Sequence, residues 1–292
     1  MTTAEVQEEV NDMGEAHFAM KPEGLIPPGV YVFFSEPGTV KSTMALTFPG
    51  HLKAYDFDLG MQRAHGIRWE GEGASQKLVS ILRDDITIER MLIPQKSLTT
   101  RYQKLQGFQE MWTKFTNDFN GDCENPDIKS IAWDTATVEW KLLQDAYLEE
   151  LQDQNVRANQ TVRKQLQQIE FGEPNQRQNM MFAAAKGGDK NLILTHHEAD
   201  EYVPVLFNGQ PVMDDEGRPR SAPSGRKMPD GFRYTLGKAD WVFNTVIKQI
   251  AGMPAPVTTC VKSALGLELV GTTYTWWTYG FFEKCLKTLG KV

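Results

Sequence analysis

Val30-Tyr31-Val32-Phe33-Phe34-Ser35-Glu36-Pro37-Gly38-Thr39-Val40-Lys41-Ser42-Thr43 is the stretch that decides the fold. Val30 to Phe34 is an apolar strand. It runs into a short turn that holds Pro37 and Gly38. Lys41, Ser42 and Thr43 follow, and then Met44, Ala45, Leu46 and Phe48 recur at helical spacing. Strand, glycine-bearing loop, Lys-Ser/Thr and helix is the layout of a phosphate-binding P-loop. Its chemistry is plain. Backbone N–H groups of the loop and helix start point at an anion, the lysine adds a point charge on the outer phosphates, and the serine hydroxyl ligates Mg²⁺. Glu36, Pro37, Gly38, Thr39, Val40, Lys41, Ser42 and Thr43 are therefore the candidate nucleotide cradle.

Two positions depart from G-x-x-x-x-G-K-[ST]. Ser35 stands at the first glycine and Val40 at the second. Glycine before the lysine reaches φ > 0 without steric cost, whereas a β-branched residue there is an outlier. The loop either takes another path at Val40 or is strained there. The plain alternative is an ordinary strand–turn–helix that happens to carry Lys-Ser.

With 292 residues the chain is long enough for one large α/β domain or two small ones. Its 40% hydrophobic and 24% charged content is ordinary for a globular protein, and no apolar run is long enough to span a bilayer. Glu5, Glu8, Glu9, Asp12 and Glu15 give the first 28 residues an acidic character unlike a signal or transit peptide. Three scattered cysteines, Cys123, Cys260 and Cys285, suggest a reducing, cytoplasmic setting without a disulfide framework or zinc site. The net charge of -7 argues against indiscriminate nucleic-acid binding but leaves room for a local basic site.

Beyond the loop, the pattern predicts a strand over His51–Asp58 and a weaker one over Leu78–Leu82. A helix follows over Thr99–Phe119, with Leu105, Phe108, Met111, Trp112 and Phe115 on one face. Ser130-Ile131-Ala132-Trp133-Asp134 reads as a buried strand before a helix over Val138–Leu151. Gln152 to Gln178 reads as a polar helix or a mobile arm around Phe171-Gly172, Met180–Lys186 is helical, and Asn191–Thr195 is another strand, capped by His196-His197-Glu198. Tyr202 to Tyr234 reads as a hairpin plus a long loop, with Asn208-Gly209 as its turn. Trp241–Ile247 and Val257–Val261 are closing strands and Trp276–Leu289 is a final helix. Strands alternating with helices predict an α/β core with a mostly parallel sheet, from residue 29 to 292. Residues 198–238 form a hairpin and basic loop within it, and 250–292 its last strands and helix.

Ligands in such sheets sit beyond the carboxyl ends of the strands. Four strand ends carry polar groups there: the loop, Asp56/Asp58, Asp134, and Thr195-His196-His197. Asp134 fits a Walker B carboxylate that holds Mg²⁺, or else a helix N-cap. Asp58 fits a general base for an attacking water, or a solvated turn. One of His196 and His197 can sense a γ-phosphate, because neighbours on a strand face opposite ways. Between Gly217 and Lys238, Arg218, Arg220, Arg226, Lys227, Arg233 and Lys238 oppose Asp230 alone, a net charge of +5 (six minus one). With Phe232 and Tyr234 to stack bases, this segment suits single-stranded nucleic acid, or supplies a finger residue across a subunit interface. Otherwise it is a solvated loop.

The order of these elements resembles the RecA-like P-loop ATPase core, and most of all the phage-encoded ATP-binding proteins of the AAA/RecA class that include single-strand annealing and recombination proteins. The residues that carry the resemblance are Glu36 to Thr43, Ala54 to Gly60, Ile131 to Thr135, Phe171 to Asn175 and Leu192 to Glu198. It implies ATP and Mg²⁺ as cofactors, Lys41 on the β/γ-phosphates, Ser42 and Asp134 on the metal, Asp58 as catalytic acid position, and a sensor at His196 or His197. It also implies single-stranded DNA as a partner and self-association with nucleotide at subunit interfaces. The rival expectations are a degenerate P-loop scaffold that does not hydrolyse ATP, and a small-molecule P-loop kinase whose Arg218 to Arg233 segment closes as a lid.

Overall fold

The structure is a computed structural model and describes residues 22–64, 67–70, 77–80, 83–94 and 104–292. The acidic segment 1–21 and the first part of the predicted 99–119 helix, up to residue 103, lie outside the described residues.

Its centre is β1 (Val30–Ser35), buried at every position. A strand that is apolar throughout needs cover on both faces, as in parallel sheets flanked by helices. Side chains alternate across the pleat, so one strand feeds two cores. Val30, Val32 and Phe34 enter one, and Tyr31 and Phe33 enter the other. The same alternation recurs on β6 (Ile128–Asp134), β7 (Asn191–Pro204) and β11 (Trp241–Ile250). Trp133, Leu194 and Val242 join the first core; Ala132, Ile193 and Phe243 join the second.

Six strands run parallel, in the order β11, β1, β7, β6, β2 (His51–Asp56) and β5 (Ile86–Arg90). The strand ending in Asp134 is thus separated from the P-loop strand by β7. Beyond β11, β12 (Met253–Lys262) and β13 (Thr273–Thr275) add antiparallel. A separate pair, β3 (Ile67–Glu70) and β4 (Lys77–Ser80), is antiparallel and off the main sheet. Residues 78–80 of the predicted 78–82 strand lie in β4, off the main sheet, and 81–82 lie outside the described residues, while the edge strand β5 was not foreseen. The whole is an α/β fold with a mostly parallel central sheet flanked by helices.

The short helix α1 (Lys41–Ala45) follows the P-loop. Helix α2 (Phe108–Glu124) presents Phe108, Trp112, Phe115, Phe119 and Cys123 as one buried stripe. It starts later than its apolar pattern suggests, because Gly107 takes a left-handed conformation. The Glu149 carboxylate, from α3 (Ala136–Arg157), accepts from the Gly107 and Gln109 N–H groups and satisfies that helix start. Helix α4 (Gly172–Gly187) covers the same face of the sheet. On the other face α6 (Tyr279–Thr288) packs Phe282 against Trp241, Phe243 and Trp277. Buried edge-to-face ring pairs of this kind contribute about 0.5–1.5 kcal/mol each beyond area burial.

The largest departure from expectation is β7. It does not stop at Thr195 but continues to Pro204, where it leaves the core. It pairs antiparallel with β10 (Ser221–Pro229), past a small tip hairpin of β8 (Leu206–Phe207) and β9 (Gln210–Pro211). What reads as a long basic loop is in large part the return strand of a projecting arm. A four-residue turn, α5 (Thr235–Lys238), then leads back to β11.

Between α3 and α4 lies a buried carboxyl, Glu139, whose Oε2 accepts from Gln178 Nε2 at 3.0 Å. Glu139 Oε1 and Gln178 Oε1 have no partner, which is the pattern of an acid–amide pair awaiting one proton. Burial pushes the Glu139 carboxyl up to about 8. Its folded pKa exceeds the unfolded one, so the native state binds more protons and stability is lost as pH rises from about 4.5 through 8. Glu139→Gln is expected to flatten that slope, and to be more stable than the wild type above pH 8, in urea melts taken from pH 5 to 9. An unchanged slope would exclude a proton held at Glu139.

Candidate functional site

The carboxyl ends of β1, β2, β6 and β7 converge on one cleft of about 330 Å³. Pro37, Gly38, Thr39, Val40, Lys41, Ser42 and Thr43 form one wall, and Asp58, Gly60, Arg63, Asp134, Thr135 and His197 line the rest. Glu36 is the one predicted cradle residue absent from that wall. Its side chain is exposed, and its carbonyl accepts from Lys41.

The loop turns without glycine at either of the two motif positions, 35 and 40. Gly38 has φ 83°, which glycine allows. Val40 sits at φ 60°, ψ 17°, in the left-handed region. Its carbonyl accepts the Met44 N–H at 3.0 Å and opens α1. Of the two outcomes open at Val40, the structure takes the strained one. A residue held in such a region costs about 1–3 kcal/mol. Val40 recovers part of this by packing its side chain against the second core.

Asp134 is buried and does not cap α3. Thr135 does, accepting from the Val138 N–H. The Asp134 carboxylate instead accepts from Ser42 Oγ at 2.8 Å and from Thr195 Oγ1. Burial, with the nearby Asp58 charge, pushes its pKa up to about 6. Asp56 is also fully buried. It accepts from the Gly60 and Met61 N–H groups at 3.0 and 3.3 Å, and burial with Asp134 beside it pushes it to about 7. Asp58 turns back to accept from Gly60 N at 2.9 Å. A Cβ at position 60 would stand 2.7 Å from Asp58 Oδ1 and would push that carboxylate aside. One oxygen each of Asp56, Asp58 and Asp134 falls within 4.8 Å of the others. Carboxylates with a serine hydroxyl are a hard, all-oxygen donor set, which suits Mg²⁺. Ser42 and Asp134, already in contact, would hold it.

His196 and His197 part company as the pleat requires. His196 is buried, its Nδ1 is 2.7 Å from the Asp230 carbonyl, and burial lowers it to about 4, so it is neutral. His197 faces the cleft, with Nε2 3.9 Å from Asp58 Oδ2. Its N–H donates to Thr137 Oγ1 at 3.1 Å, which fixes the strand against α3. The structure thus brings Lys41, Ser42, Asp58, Asp134 and His197 together and leaves His196 in the core.

One lining group and one buried donor escaped the sequence. Arg63 stands on a single helical turn, Met61–Arg63, hung from the Asp56 carboxylate. A basic residue five positions after a strand-end Asp was its only signal. Thr195 was seen as a strand end but not as the donor to Asp134.

The arm changes the charge picture. Arg218, Arg220, Arg226, Lys227 and Arg233 are all exposed. Lys227 pairs with Asp200 at 2.9 Å on the facing strand, and Arg218 with Glu216 at 2.7 Å. Among the described residues Arg220, Arg226 and Arg233 have no carboxylate at ion-pair distance, and Arg233 lies 4.9 Å from the Tyr234 ring. Phe232, offered above as a stacking residue, is instead buried against Trp140 and Phe182. The arm's apolar residues Tyr202, Leu206, Phe207 and Met213 are exposed.

No family model matches the chain, and no curated protein matches it. Among solved structures it is similar to a KaiC-like protein from the hyperthermophilic archaeon Pyrococcus horikoshii OT3, at 11% identity and a TM-score of 0.44, over 88% of this chain and 92% of that one. Among the described residues no helix is long and apolar enough to cross a membrane.

The cleft's electrostatics give a sharp signature at His197. Burial lowers its pKa, Lys41 lowers it further and Asp58 raises it. Asp58→Asn is expected to move the His197 titration down and Lys41→Ala to move it up, followed by NMR of the imidazole ring protons. Shifts of the same sign in both variants would mean that His197 does not face the pair.

Proposed function

We propose that the chain binds ATP·Mg²⁺ in this cleft and acts as a RecA-like protein on single-stranded DNA, in phage-type recombination or replication. The observation that carries the nucleotide part is the meeting of Lys41, Ser42 and Asp134 from separate elements, with the Ser42–Asp134 bond at 2.8 Å. Bound Mg²⁺ would supply charge neutralisation for the outer phosphates. Lys41 supplies a further positive charge, and the loop amides from Gly38 onward supply donors. In this reading Asp58 orients a water and takes its proton, and His197, with Nε2 3.9 Å from Asp58 Oδ2, reports on the terminal phosphate. The Arg220 and Arg226 guanidiniums on the arm are the groups free to meet a phosphate backbone.

A second reading, a scaffold that binds without hydrolysing, is favoured by one observation: Val40 holds a conformation that P-loops reserve for glycine. The kinase rival gains no comparable support.

Lys41→Ala is expected to weaken binding of a fluorescent ATP analogue at least tenfold, about 1.4 kcal/mol or more. Unchanged affinity would remove the nucleotide assignment. Val40→Gly relieves a left-handed β-branched residue and is expected to improve binding, turnover, or both; steady-state ATPase assays beside the titration separate the two. A Val40→Gly enzyme no better than wild type in either respect would mean that the loop is built for its present shape. For the nucleic-acid part, Arg220→Ala with Arg226→Ala should weaken single-stranded DNA binding and flatten its salt dependence more than Lys227→Ala does, because Lys227 is already paired. No binding by the wild type at low salt would leave only the nucleotide part standing.

A further inference from the structure

Every proton of the Lys41 ammonium is committed inside its own loop. An ammonium has three donors. One goes to Ser35 Oγ at 2.8 Å, one to the Ser35 carbonyl at 3.1 Å and one to the Glu36 carbonyl at 2.9 Å. The Ser35 hydroxyl is buried and pairs with Thr39 Oγ1, and Thr39 Oγ1 donates to the Glu36 carbonyl at 2.8 Å. Of the two hydroxyls beside the Glu36 carbonyl, Thr39 Oγ1 is the nearer, at 2.8 Å against 3.1 Å for Ser35 Oγ, which favours Thr39 as the donor to Glu36 and Ser35 as the donor to Thr39. The result is a one-way chain: Lys41 donates to Ser35, Ser35 to Thr39, and Thr39 to Glu36. Hydrogen bonds in such a chain polarise and strengthen one another. A glycine at position 35 has no hydroxyl and could not build it.

We propose that Ser35 and Thr39 form a hydroxyl latch that holds Lys41 retracted, so that an incoming terminal phosphate gains the lysine only after the latch opens. This rests on the ATP·Mg²⁺ reading above. Ser35 is a positioning residue that acts through Lys41. A binding-competent loop populated only in part lowers apparent affinity by that fraction and slows association. The substitution at the first glycine position is then a control on nucleotide entry.

Two measurements test the latch, one of them independent of nucleotide. The first is stopped-flow association of a fluorescent ATP analogue. The second is the rate at which an amine-reactive acylating reagent modifies Lys41 in the nucleotide-free protein, read by mass spectrometry at pH 8. Ser35→Ala is expected to associate roughly three- to tenfold faster and to acylate several-fold faster, in keeping with a competent fraction released by that factor. Thr39→Val, which breaks the chain one link on, should change both rates in the same direction. Ser35→Thr keeps the hydroxyl and should keep both slow rates. Wild-type rates in Ser35→Ala, or equal slowing in Ser35→Ala and Ser35→Thr, would overturn the latch. A wild-type protein that binds no nucleotide would instead sink the ATP reading, and the acylation rates would still decide the latch. If Ser35→Ala fails to fold, as circular dichroism would show, Thr39→Val decides alone.

Discussion

The Asp134 side chain and carbonyl are the point on which the upper edge of the sheet depends. Its carboxylate takes hydroxyl donors from Ser42 on α1 and Thr195 on β7, and its carbonyl takes the Phe57 N–H at 2.7 Å from the end of β2. One residue thus ties the P-loop helix to three strand ends. A buried carboxylate left without donors would cost several kcal/mol. Here the hydroxyls make the burial tolerable, and the same hydroxyls fix where Ser42 points. Structure and site are one arrangement: the contact that satisfies Asp134 also presets the pair suited to hold a metal.

Behind that edge the two aromatic cores keep the strands from shifting. Trp133 meets Phe115, Phe119 and Phe182 on one face, and Phe33 meets Phe48, Phe243 and Trp277 on the other. Because strand side chains alternate, a one-residue slip of β1 or β6 would exchange the two sets and empty both cores. Register is therefore fixed strongly at the base of the strands. The charged ends, which pay desolvation, are held in place by packing that lies well away from them.

This division also explains what the sequence made legible. The all-apolar β1, β6 and the first part of β7 announce themselves, because burial on both faces demands unbroken apolar runs. Asp58, Asp134 and His197 were legible as polar residues at strand ends, and the pleat rule separated His196 from His197. The edge strand β5 was not, since Ile86-Thr87-Ile88-Glu89-Arg90 is half exposed and its polar residues resemble a loop. Nor was the arm. Once β7 leaves the core it is no longer apolar, and its pairing with β10 rests on backbone bonds that carry no side-chain pattern. Phe232 was misplaced for the opposite reason: a basic, glycine-rich neighbourhood concealed a ring that anchors the return of the chain between Trp140 and Phe182. Arg63 and the Thr195 hydroxyl depend on a turn and a neighbour that only the folded chain supplies.

The two departures at positions 35 and 40 belong together. Glycine at both would give a loop free to adapt to a phosphate at the expense of order in its absence. Replacing glycine restricts the unfolded chain, a gain that the left-handed strain at Val40 outweighs at that position. Val40 adds apolar contact with the second core, and Ser35 adds a buried hydroxyl between Lys41 and Thr39. Each change by itself carries a cost, strain at one position and a polar group to satisfy at the other. Jointly they stiffen one loop geometry from both ends, with the strained turn held by packing and the hydroxyl held by the lysine. The loop carries its own hydrogen bonds, and a phosphate that draws on Lys41 has to offer it more than Ser35 and Glu36 already do.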